Sequence, residues 1–89
     1  YIYEREEKIM TVLAVFRSRA QALDAIALLK NAGVPARAVA TPREAGCGCG
    51  ISAAFDARFF VRAKQLVQAR CYSSFYGYYK ACGGTFLRC

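Results

Sequence analysis

The stretch from residue 10 to residue 40 constrains the fold more than any other part of the chain. It opens with MTVLAVF (residues 10–16), a short apolar run rich in β-formers and bounded by polar residues, the pattern of a buried strand. Ser18 follows, and its hydroxyl can take one of the unpaired N–H groups of a first helical turn. Residues 19–32 are rich in Ala and Leu, with Ala22, Ile26 and Leu29 on one face and Leu23 beside them, so the spacing predicts a helix. Gly33 suits the left-handed cap that ends such a helix, and Pro35 blocks its continuation. ARAVA (residues 36–40) then reads as a second short strand.

The second half has the same grammar. ISAAF (residues 51–55) reads as a third strand. Asp56 can cap a second helix over residues 57–70, with Phe60, Ala63 and Val67 along one side and Phe59 and Leu66 widening the stripe. CYSSFYGYYK (residues 71–80) is aromatic and weakly alternating, and is expected to hold the last strand. The order β-α-β-β-α-β predicts an α+β, ferredoxin-like fold: a four-stranded antiparallel sheet with two helices on one face. At 89 residues there is room for one domain, expected over residues 10–80. ACGGTFLRC (residues 81–89) has two glycines and no periodicity, and is expected to be a tail, either a hairpin arm or a disordered end. The chain begins at Tyr1, and residues 1–9 are read as an N-terminal arm or a cloning remnant, with Met10 near a native start.

The formal charge is +7, and from residue 10 onward 11 basic groups face 3 acidic ones. That balance favours anionic partners, or serves solubility alone. The basic residues are dispersed from Arg17 to Arg88, which argues against a nucleic-acid footprint. No apolar run approaches the ~18 residues of a membrane span, so no membrane partner is expected. Five cysteines (Cys47, Cys49, Cys71, Cys82 and Cys89) form an odd set without a secretion leader, which predicts cytoplasmic thiols over a secreted disulfide scaffold. Small domains often gain stability by oligomerising, so a second copy of the chain is also a candidate partner.

The chemistry concentrates in TPREAGCGCG (residues 41–50), between the second and third expected strands. Pro42 stiffens the exit from the strand, while Gly46, Gly48 and Gly50 let backbone N–H groups turn inward together. Cys47 and Cys49 alternate with those glycines, and Arg43 places a fixed positive charge close by. Cations and converging N–H donors favour the thiolate, the form that acts as nucleophile and sulfur acceptor. No histidine exists in the chain, so a Cys–His hydrolytic dyad is excluded within one subunit. Persulfide carriage, thiol–disulfide exchange and metal ligation remain, as does a tight turn with incidental cysteines. Cys-Gly-Cys is not the Cys-X-X-Cys redox spacing, and a disulfide across one residue would be strained. A metal site would need further ligands, with Cys71, Cys82 or Cys89 the remaining soft candidates.

The segment NAGVPARAVATPREAGCGCGIS resembles the signature of the Se/S-carrier-like family of small bacterial proteins. The matching residues are Ala32-Gly33-Val34-Pro35, Thr41-Pro42-Arg43-Glu44 and Cys49-Gly50, and the likeness extends over residues 11–79. The resemblance implies a carrier of sulfur or selenium on cysteine rather than a stand-alone enzyme, with donor and acceptor proteins as partners and no cofactor or metal. Cys49 takes the place of the family cysteine. Cys47 stands where the family usually has a small residue, and is expected either to resolve the loaded thiol or to turn the loop toward metal. Arg43 and the backbone at Gly48 and Gly50 are expected to stabilise the sulfur anion. The rival readings are a non-catalytic interaction module, using the aromatic cluster Phe75, Tyr76, Tyr78 and Tyr79, and a small thiolate metal-binding protein.

Overall fold

The computed structural model describes residues 10–46 and 50–89, with Cys82 described by its backbone. The first strand is β1 (Thr11–Phe16), with Val12 to Phe16 all buried. Helix α1 (Arg19–Asn31) starts where Ser18 accepts a hydrogen bond from the Gln21 N–H at 3.2 Å. It stops through Gly33, at φ 89°, with Gly33 N–H donating to the Lys30 carbonyl and Val34 N–H to the Leu29 carbonyl. That pair of bonds is a Schellman stop, and glycine is the residue that tolerates its left-handed position. Strand β2 (Arg37–Ala40), strand β3 (Ile51–Asp56), helix α2 (Phe60–Arg70) and strand β4 (Phe75–Cys82) complete the expected series.

Five strands pair antiparallel in the order β2-β3-β1-β4-β5, so the expected four-stranded sheet is one strand short. The additional strand, β5 (Thr85–Arg88), comes from the residues expected to form a tail. It pairs with β4 through a two-residue turn at Gly83 and Gly84, both at positive φ, the conformation that suits the twist of a tight hairpin. The first four strands, with both helices packed on one face, are compatible with the ferredoxin-like arrangement.

The sheet's two faces have different covers. On one, Val12, Ala14, Phe16, Ala53 and Phe55 pack against Ala22, Ala25, Ile26 and Leu29 of α1 and Ala63 and Val67 of α2. The small alanines let α1 lie close to the strands. Leu23, expected beside the apolar stripe, points outward and is 45% exposed, because Ala25 takes the inward position. On the other face, Leu13, Val15, Ala54 and Tyr79 are buried with no α-helix over them among the described residues. Ala45 from the loop after β2 and Phe86 from β5 cover them instead.

Asp56 caps a turn, as expected, but the turn is a 3-10 helix over Ala57–Phe59 that leads into α2. Its carboxylate accepts from the Arg58 N–H at 3.0 Å. Phe59, Phe60 and Leu66 pack half-buried against the core. The aromatic cluster of β4 divides between the faces: Phe75 and Tyr78 join the helix side, Tyr76 and Tyr79 the other.

Candidate functional site

The loop between β2 and β3 springs from the sheet's β2–β3 edge. Ala40 pairs with Ile51, and the Thr41 N–H donates to the Gly50 carbonyl at 3.1 Å, closing the neck. Thr41 and Ser52 hydroxyls meet at 2.8 Å across it. Ser52 is fully buried, so this bond supplies the partner that a buried hydroxyl needs. Pro42 is buried at φ −68°, the value its ring imposes, and directs the chain beneath the sheet. Arg43–Ala45 then form one 3-10 turn, which Gly46 ends in the left-handed conformation at φ 64°. Ala45 is the apolar residue that the turn inserts against Leu13 and Val15.

The turn is held by a strand from the opposite edge of the sheet. One carboxylate oxygen of Glu44 accepts from the Thr85 hydroxyl at 2.6 Å and from the Phe86 N–H at 3.4 Å. The Thr85 hydroxyl first, then the Glu44 backbone N–H, hold the Glu44 carboxyl below the usual carboxylate range, with lesser help from the Phe86 N–H and the Arg43 charge, while desolvation opposes them. Glu44 is therefore an anion at neutral pH, bound to the C-terminal hairpin. Arg43 is exposed, and with Glu44 it lines an open hollow of about 520 Å³.

Arg43 and Gly50 are thus placed at the two ends of the loop. Gly50 is exposed, with open space where a side chain would stand. Cys47, Gly48 and Cys49 lie outside the described residues. Cys71 ends α2, and Cys89 follows β5; both carry exposed free thiols. Among the described residues no group of three His, Cys, Asp or Glu side chains is placed to hold a metal ion. No helix among them is long and apolar enough to cross a membrane.

The contact between Glu44 and Thr85 was not visible to sequence reasoning, since it joins positions 41 residues apart. One signal pointed toward it. Residues 10–89 hold three acids in a strongly basic stretch, and each has a structural partner. Asp24 accepts from the Tyr72 hydroxyl at 2.6 Å and pairs with Arg70 at 3.2 Å; Asp56 caps its turn; Glu44 holds the hairpin.

A second basic feature lies on the face that β5 shares. The Arg88 guanidinium lies across Gly77, donates to the Tyr76 carbonyl at 2.7 Å, and stacks 5.0 Å from the Tyr76 ring centre. Arg17 approaches the same ring at 5.2 Å. The two cations flank an aromatic face, an arrangement stabilised by the ring quadrupole.

No curated protein and no solved structure matches the chain. A family match does exist, and it spans residues 11–72, from β1 through the cysteine loop to the turn after α2. The hairpin of β4 and β5 lies beyond it. The chain belongs to the family described as "Putative Se/S carrier protein-like".

Proposed function

We propose that the protein is a cytoplasmic cysteine-based carrier that holds sulfur or selenium on Cys49. The scaffold is a ferredoxin-like sandwich extended by β5. In the loading step the Cys49 thiolate attacks the outer sulfur of a donor persulfide. A new sulfur–sulfur bond forms at Cys49, the donor's sulfur–sulfur bond breaks, and the donor leaves as a thiolate. In the unloading step an acceptor thiolate attacks the outer atom of the Cys49 persulfide and Cys49 departs as thiolate. Each step is an exchange at sulfur that needs no external oxidant or reductant. Selenium in the outer position follows the same course.

The family match carries this reading, and the loop's neck supports it. Contacts at Thr41, Ser52 and Glu44 tie the strand ends and the 3-10 turn to the sheet. The two ends of the loop are thereby fixed to the sheet before a donor arrives, so ordering them adds no cost on binding. Arg43 supplies a positive charge near the turn, which favours thiolate and persulfide anions. Cys47 provides a second, faster route of release: its thiolate takes the outer atom from Cys49, which departs as thiolate, and the acceptor thiolate then takes that atom from Cys47.

Mass spectrometry of reduced protein after exposure to a persulfide donor tests the proposal. The peptide containing Cys49 is expected to gain the mass of one sulfur atom, and Cys49→Ser to abolish the gain. Loading that persists in Cys49→Ser, or is absent while a control thiol is loaded, rejects it.

A further inference from the structure

The sheet's two outer strands differ in what their free edges offer. Antiparallel pairing alternates residues that bond to the neighbouring strand with residues whose N–H and C=O point away from it. On β5 the Cys89 N–H donates to the Tyr78 carbonyl at 2.9 Å, so the backbone groups of Phe86 and Arg88 point outward. That edge is partly taken, because Glu44 accepts from the Phe86 N–H. On β2 the Thr41 N–H donates to the Gly50 carbonyl, so Arg37 and Val39 bond to β3 while Ala38 and Ala40 point outward. Both alanines are exposed. An edge with open backbone groups is a template for another strand, and proteins commonly blunt it with charge or proline. Strand β2 carries one charged residue, Arg37, and Pro35 and Pro42 both lie outside it.

The helix side of this edge is apolar as well. Ala38 pairs with Ala53 and Ala40 with Ile51, so the two alanine side chains share the helix-bearing face. Helix α1 stands beside them. Its Gln21 and Asp24 turn toward the connection between α2 and β4, where they bond Ser73, Ser74 and Tyr72. Helical spacing puts Leu23 on the opposite flank, the β2 side, where it is 45% exposed.

We infer that a second copy of the chain docks on this edge, β2 against β2, antiparallel about a two-fold axis that passes between the two Val39 residues. A two-fold contact has to be self-complementary, and this strand meets that condition. Ala38 of each copy stands opposite Ala40 of the other, each pair exchanging both hydrogen bonds, so every outward group of β2 finds a partner. Val39 meets its own copy on the other face of the sheet and gains cover there, being half-buried in the single chain. Arg37 falls opposite Thr41, which keeps the two arginines apart. Sliding the register one way sets Pro42, which has no N–H, opposite Ala38. Sliding it the other way calls on Ala36, which is buried and outside the strand. The two α1 helices flank the seam, each with Leu23 on the side toward it. The pairing also brings Arg37 of the second copy to the neck of the cysteine loop at Thr41. The inference does not rest on sulfur carriage by that loop.

The test uses the reduced full chain, so that the exposed thiols of Cys71 and Cys89 do not join copies, in salt that screens the charge of +7. A contact between two short strands buries little surface, so the association is weak and is read from a concentration series. Sedimentation equilibrium is expected to show a mass that rises with concentration from 9.8 kDa toward that of two chains. In a sample mixed from labelled and unlabelled chains, an isotope-filtered NOE is expected between the Val39 Hα protons of the two copies. Two double variants at the exposed alanines test the register; both are expected to fold, and their amide spectra report whether they do. Ala38→Lys with Ala40→Lys sets lysine opposite lysine and is expected to weaken the dimer by about tenfold. Ala38→Lys with Ala40→Asp sets lysine opposite aspartate and is expected to keep it. A single-chain mass at every concentration overturns the inference and leaves the edge to an extended segment of another protein. So does a dimer without the Val39 contact, or one that the two variants affect equally.

Discussion

Tyr78→Phe isolates a single atom. The ring stays in place, where it meets Phe60 edge-on at 5.1 Å and Phe75 at 4.8 Å. What is lost is a hydroxyl buried without a partner. In the unfolded chain that hydroxyl is hydrated, so folding strips its water and returns nothing. The penalty for an unsatisfied buried group is about 1–3 kcal/mol. Removing the oxygen should therefore stabilise the domain by about 1 kcal/mol or more. For a domain of this size each kcal/mol moves Tm by about 4–8 °C. The expected result is a Tm raised by at least about 4 °C, read by far-UV circular dichroism on reduced protein at neutral pH. Urea unfolding should show a higher midpoint with unchanged slope, since the exposed surface barely changes. A lowered Tm would refute the reasoning, because it would mean that the hydroxyl has a partner in solution and that its desolvation is already offset.

Four other outcomes follow from the same geometry. Glu44→Ala removes the acceptor for Thr85 and Phe86, so hydrogen exchange at the Phe86 amide should speed up while the β1–β3 amides keep their protection. In the unaltered protein the same contact is pH-dependent: the Glu44 carboxyl is lowered from 4.5 by folding, so its contribution is complete above that value and is lost as pH falls through the folded value, which acid titration of Phe86 exchange should track. Phe16→Ala opens the core where Tyr72 and Phe75 meet the ring edge-on, at 5.3 and 5.6 Å; a loss of about 3–5 kcal/mol is expected, a large share of the stability of a domain of this size, read by circular dichroism as a Tm lowered by at least about 12 °C. Burial raises Tyr72 and Tyr78 from 10.0 to about 12, so folding resists their ionisation: stability is unaffected by them below pH 10 and declines as pH rises toward 12, an alkaline limb that Tyr78→Phe should reduce in a pH series of Tm.

The elements legible in the sequence were those with local punctuation. Ser18, Gly33 and Asp56 each act within a few residues of their own position, through hydrogen bonds or a backbone conformation that the residue type itself favours. Strand β5 was harder to see because TFLR has no buried alternation: Thr85, Leu87 and Arg88 are exposed and only Phe86 is half-buried. Gly83-Gly84 was its one local signal, a dipeptide suited to a tight hairpin. Leu23 illustrates the reverse case, since an alanine-rich helix can seat its small residues against a sheet and turn a large one to solvent. The cysteine loop was found by its composition, and its Arg43 and Gly50 ends are placed by the fold. The support from Glu44 to Thr85, and the orphaned hydroxyl of Tyr78, depend on chain segments that meet only after folding.

Sulfur carriage requires both acceptance and release, and one experiment reads both. The reduced protein is loaded from a cysteine desulfurase supplied with cysteine bearing radiolabelled sulfur, separated from the donor, and then mixed with an acceptor thiol. The account predicts label on Cys49 at the first stage and its transfer to the acceptor at the second, with Cys49→Ser failing to load and Cys47→Ser loading but releasing more slowly. Label that never reaches Cys49, or that stays there when the acceptor is present, would contradict the carrier function.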